Sequence, residues 1–167
     1  MKHKNIAVFT VVMLAAVSAA AQSAGQKSFD AMKSLTGEWE GKNQMGDPVE
    51  ISYRLTAGGS ALMSEIRSST ERKAEDMISM IHMDGERLLL THYCHAGNQP
   101  RMQASISPDG KTVTFDFVDA TNLRDSQPGH MQRVIFTFTD RSHHTEEWHF
   151  QTAGKEMVEK FELEKRS

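Results

Sequence analysis

Val49-Glu50-Ile51-Ser52-Tyr53-Arg54-Leu55-Thr56 alternates apolar and polar residues, then breaks at Ala57-Gly58-Gly59-Ser60. Successive side chains of a strand point to opposite faces, so such a run reads as a strand with one dry face and one wet face. The pattern recurs along the chain. Val113, Phe115 and Phe117 alternate with Thr112, Thr114 and Asp116. Val134, Phe136 and Phe138 repeat it, and so do Met157, Phe161 and Leu163 around Glu159. Turn residues separate the runs at Met45-Gly46-Asp47-Pro48, Met83-Asp84-Gly85-Glu86, Pro108-Asp109-Gly110-Lys111 and Thr152-Ala153-Gly154-Lys155. Asp-Gly between two alternating runs marks a tight hairpin, because both turn positions tolerate positive φ. The spacing predicts about ten strands, near 38–43, 49–56, 60–67, 75–83, 86–95, 101–106, 111–118, 130–140, 142–151 and 155–165. Asp119–Gly129 is the one long irregular segment, a lid-like loop or short helix. Strands joined by hairpins make an antiparallel meander, and closing it into an up-and-down β-barrel removes its exposed edges. The expected fold class is all-β.

Ahead of the strands the pattern changes. Lys2 and Lys4 precede the apolar run Ile6–Ala16, and Ala19-Ala20-Ala21 then offers small residues to a signal peptidase. This predicts an export signal over residues 1–21 and a periplasmic or secreted protein. Residues 22–36 read as a small polar leader, Gln22 to Lys27, and a short helix. In that helix Ser28 would be the N-cap, with Phe29, Met32 and Leu35 on one side. Residues 37–167 would be the barrel. After the signal no apolar run is long enough to span a bilayer as a helix. The 167-residue chain carries a net charge of −3, and removing Lys2 and Lys4 makes it more acidic. That balance argues against nucleic acid, whose binders carry a basic face. The single cysteine, Cys94, excludes an intrachain disulfide.

Leu35-Thr36-Gly37-Glu38-Trp39-Glu40-Gly41 follows the helix and opens the first strand. This resembles the Gly-x-Trp start of calycin-type β-barrels, the lipocalin and nitrobindin-like branches among them. It is also similar to the start of exported bacterial proteins with an L-x-G-x-W opening. The resemblance implies that Trp39 plugs one end of the barrel against the helix. It further implies an internal pocket for a small hydrophobic ligand. In nitrobindins that ligand is haem, held by one late-strand histidine, and His143, His144 and His149 are the late-strand histidines here.

Three clusters could carry chemistry. The first is Thr91-His92-Tyr93-Cys94-His95 running into Ala96-Gly97-Asn98-Gln99-Pro100-Arg101. Alternation puts His92 and Cys94 on one face and Tyr93 and His95 on the other. Imidazole and thiolate suit zinc or copper, with His82 approaching across the Asp84-Gly85 hairpin; the alternative is a barrel rim lining a pocket. A Cys-His nucleophile needs a base brought from elsewhere, since neighbouring strand residues diverge. The second cluster is His143-His144-Thr145-Glu146-Glu147-Trp148-His149. Glu147 and His149 share one face, and Trp148 and Phe150 the other; either pair could take the interior. The third, Met77, Met80 and Met83 with His82, offers copper-type donors or a core-lining stripe. No phosphate loop, nucleophile elbow or His-Glu-x-x-His motif occurs.

Together these readings predict an exported protein that holds a hydrophobic or amphipathic molecule inside its barrel. His82, His92, Tyr93, Asn98, Arg101 and His149 are the candidate polar groups of the pocket. A haem- or transition-metal-binding barrel is the alternative, and a barrel-based enzyme the third reading.

Overall fold

The computed structural model describes residues 22–68, 77–93, 95–126 and 129–167. The predicted signal segment and Cys94 lie outside them.

One helix, α1 (Ala24–Lys33), precedes ten strands. They are β1 (Gly37–Asn43), β2 (Pro48–Thr56), β3 (Ala61–Ser68), β4 (Met77–Asp84) and β5 (Arg87–Tyr93), then β6 (Gln99–Ile106), β7 (Thr112–Thr121), β8 (His130–Phe138), β9 (His143–Thr152) and β10 (Lys155–Lys165). Each strand pairs antiparallel with its sequence neighbours, and β10 pairs with β1 to close the barrel. Closure leaves no long edge for another chain to extend. Gly41 sits where β1 and β10 cross closely: a Cβ there would lie 1.9 Å from the Glu162 carbonyl oxygen.

Two predicted boundaries move. The helix begins at Ala24, four residues earlier than Ser28–Leu35. Ser23 is its N-cap and accepts a hydrogen bond from the Gln26 amide, while Ser28 is buried in the helix and donates to the Ala24 carbonyl. Part of the predicted leader is therefore helical. The early start also lets Gly25 press on the β4–β5 turn, where a Cβ would be 2.0 Å from the Glu86 carbonyl oxygen. Strand β7 runs on to Thr121, so the irregular segment before β8 is shorter than Asp119–Gly129. Its extension pairs across a bulge, where Arg101 faces Asp119 and Met102 faces Phe117.

Connections in a meander alternate between the two ends of the barrel. Helix α1 covers one end, packing on β4 to β7. There Phe29, Met32 and Leu35 join Trp39, Leu88, Phe115 and Phe136, all buried. Trp39 is 2% exposed, and its indole N–H donates to the Leu35 carbonyl at 2.6 Å. The other end, which includes the turns after β1, β5, β7 and β9, has no helix among the described residues. Its inward residues Met77, Phe117 and Phe150 are only partly buried. Among the described residues no helix is long and apolar enough to cross a membrane.

Candidate ligand site inside the barrel

Alternation assigns each strand's inner face. On β9 the inner set is His144, Glu146, Trp148 and Phe150, which leaves Glu147 and His149 on the outer face. Trp148 takes the interior because burying an indole removes far more apolar surface than an imidazole or carboxylate would. On β5 the inner set is Leu88, Leu90 and His92. On β2, β3 and β4 it includes Tyr53, Ser64 and Ser79.

These polar residues meet. Tyr53 pairs in register with Ser64, Ser64 with Ser79, and Ser79 with His92. The row crosses four strands and, because barrel strands tilt, climbs obliquely through the interior. At one end the Tyr53 hydroxyl donates to Glu146 Oε1. Glu146 also accepts from the Trp148 indole N–H at 2.8 Å, and His144 Nε2 lies 3.0 Å from its Oε1. Three donors thus meet one buried negative charge, the arrangement a dry interior demands. Burial, and then the Glu146 charge, pushes the Tyr53 phenol well above its ordinary pKa. His144 stands edge-on to Trp39, ring centres 4.2 Å apart, which ties this network to the capped end.

At the other end of the row His92 is fully buried. Its Nδ1 lies 2.9 Å from Ser79 Oγ, and its ring centre is 4.8 Å from that of Trp148. Burial, with a smaller contribution from His95, lowers its pKa from 6.5 to about 4. The imidazole is therefore neutral at physiological pH. Nε2 is buried and has no hydrogen-bond partner among the described residues. Asn98 follows β5, with its Nδ2 donating to the Gly129 carbonyl at 2.7 Å, and its Oδ1 is likewise buried without a partner. That bond ties the β5–β6 turn to the start of β8. Beside it His130 and Phe117 have ring centres 4.5 Å apart.

Of the six predicted pocket residues, the structure brings His92 and Asn98 to the interior. The other four lie on the outer face. His82 has Nδ1 3.2 Å from the Met83 carbonyl oxygen. Tyr93 is 45% exposed. Arg101 is exposed and bound to Asp119 through two nitrogens. His149 has Nδ1 3.0 Å from Glu156 Oε1. The methionines follow the same rule: Met77 and Met83 pack on the core, and Met80 points the opposite way. Tyr53, Ser79, His144, Glu146 and Trp148 were not among the predicted pocket groups. The signal that could have found three of them is the period-two set His144, Glu146, Trp148 and Phe150, which ends in two aromatic residues.

The donor set also decides which groups could be held. A haem iron takes one free imidazole nitrogen. The late-strand histidines do not fit. His143 is half exposed beside Asp140, His144 is committed to Glu146 and packed on Trp39, and His149 faces outward. His92 fits better, being neutral with Nε2 unpartnered. Among the described residues no group of three or more His, Cys, Asp or Glu side chains is placed to hold a metal ion. On the outer face a groove of about 650 Å³ crosses β2, β1, β10 and β9, with Glu40, Glu50, Glu162 and Glu164 in its lining. Arg166 binds two of those carboxylates, Glu40 and Glu50, so the groove reads as a salt-bridged, solvated face.

No protein-family profile matches the chain, and no curated protein matches it. The fold does match solved structures. A crystal structure of Rv2717c from M. tuberculosis superposes with a TM-score of 0.61 at 12% identity, covering 84% of this chain and 98% of that one. At that identity the likeness is one of fold.

Proposed function

We propose that this chain is an exported β-barrel of the calycin type that holds a small apolar or amphipathic molecule. The ligand enters at the end away from α1 and meets His92 and Asn98. Export rests on the residue pattern of positions 1–21, which also implies the periplasm or the cell exterior. The calycin reading rests on the Gly37-x-Trp39 start beneath a helix. One observation carries the binding reading: His92 Nε2 is buried inside an apolar barrel with no partner among the described residues. An unpaired buried polar atom costs roughly 1–3 kcal/mol, so a ligand group that pairs with it gains that much. The partly buried Met77, Phe117 and Phe150 supply apolar contact near it. Pockets that combine an apolar lining with a few fixed polar groups are the usual form of small-molecule sites.

Native mass spectrometry of the purified protein tests this. The expected result is a small-molecule adduct that organic solvent extracts and that His92→Leu diminishes. Protein that carries no adduct, and takes up none from an apolar library, contradicts the reading.

A second reading keeps the barrel and changes the cargo: haem, with His92 Nε2 as the iron ligand. The free neutral imidazole favours it. Haem titration would then produce a Soret band that His92→Leu shifts and His149→Ala leaves unchanged; a spectrum equal to free haem contradicts it.

A further inference from the structure

Among the described residues the interior is short of fixed positive charge. Among the described residues the buried polar and charged set is Ser28, Ser64, Ser79, His92, Asn98, His144 and Glu146. It contains a carboxylate and no lysine or arginine. The partly buried lysines are engaged elsewhere: Lys33 lies over Phe29, Lys160 pairs with Glu147 on the outer face, and Lys165 lies over Trp39 at the capped end. His92 adds no positive charge at neutral pH.

The unpartnered atoms are biased the same way. Asn98 Nδ2 is fixed by the Gly129 carbonyl, which can only accept, so the free atom Oδ1 is an acceptor. A carboxylate also only accepts, so His144 Nε2 carries the proton in its contact with Glu146. His144 Nδ1 is likewise buried and has no partner among the described residues. His92 Nε2 can accept when Nδ1 donates to Ser79 Oγ. A ligand carboxylate would meet the Asn98 acceptor and the like charge of Glu146 in a dry interior whose described residues include no buried lysine or arginine. An O–H or N–H group would meet partners.

We infer that the molecule taken up by this barrel carries a hydrogen-bond donor, a hydroxyl or amine, on an apolar body, and is selected against carboxylates. This rests on the binding reading above and adds the ligand's chemical class to it.

The test uses three probes of equal chain length on the full mature chain: 1-decanol, decylamine and decanoate. Binding is followed by titration calorimetry and by tryptophan fluorescence, since Trp148 adjoins His92. At pH 8 decanol and decylamine should bind at least about tenfold more tightly than decanoate. Lowering the pH to 5 protonates part of the decanoate, whose carboxyl titrates in the ordinary range of about 4 to 5. Its apparent affinity should then rise at least about tenfold, while that of decanol stays level. Glu146→Gln should narrow the gap at pH 8. Decanoate binding as tightly as decanol at pH 8, or showing no gain at pH 5, overturns the inference and leaves the binding reading standing. Failure of all three probes to bind overturns both. The pH series uses the unaltered protein, so the result does not depend on whether the Glu146 variant folds.

Discussion

The two ends of this barrel share one sheet and one alternation rule, yet they are finished differently. At the α1 end the centre is densely filled: Met32, Leu35, Leu88, Phe115 and Phe136 are at most 2% exposed, Trp39 is hydrogen-bonded in place, and only the marginal Met83, Ile106 and Phe138 are partly buried. At the opposite end the inward residues are partly wet. Among the described residues, six of the seven large exposed apolar residues lie towards that end, namely Met45, Tyr93, Val118, Leu123, Met157 and Val158; Leu55 is the exception. Between the ends lies the row from Tyr53 to His92. Its capped-end member is saturated through Glu146, and its open-end member keeps an unpaired nitrogen. The difference teaches that polarity inside a barrel need not mean a site. Glu146 with its three donors is the better-paired group and reads as structural, whereas His92 is the group with bonding capacity left.

This contrast can be broken by truncation at each end. Trp39→Ala removes a fully packed indole and should cost about 3–5 kcal/mol in chemical denaturation, the range for large core aromatics. Phe150→Ala, at the partly wet end, should cost about 1–2 kcal/mol. Equal losses would mean that the open end is as tightly packed as the capped one.

A graded effect comes from acid. His92 is held near pH 4 in the folded chain and titrates near 6.5 when unfolded. Between those values the unfolded state binds the extra proton, so stability falls as the pH drops through that window and is unaffected above it. The full effect is about 3 kcal/mol, approached only near pH 4. His92→Leu should flatten that part of the stability profile; an unchanged slope would place His92 in contact with water.

The strands were legible because alternation needs no tertiary context. Ten runs and their Gly-containing turns place ten strands, and the boundaries shift where pairing overrides local pattern. The β7 extension past Val118 exists because Asp119 pairs with Arg101 and Thr121 with Gln99 across the bulge. Ser23 rather than Ser28 caps α1 because Gly25 fits tightly against Glu86, a contact distant in sequence. The site was less legible, for one physical reason: alternation sorts residues into two faces without saying which is inside. His82, Tyr93, Arg101 and His149 are chemically suited to a pocket and sit on the wet face. Glu146 is an ordinary surface residue by type, and the tyrosine of a distant strand, with His144 and Trp148 of its own strand, makes its burial tolerable.

The most direct test of the central claim is the nitrogen NMR of the His92 imidazole, assigned by comparison with His92→Leu. The account predicts a ring that stays neutral from pH 7 to pH 5 and an Nε2 resonance that moves when 1-decanol is added. A ring that titrates near 6.5 and ignores decanol would contradict it.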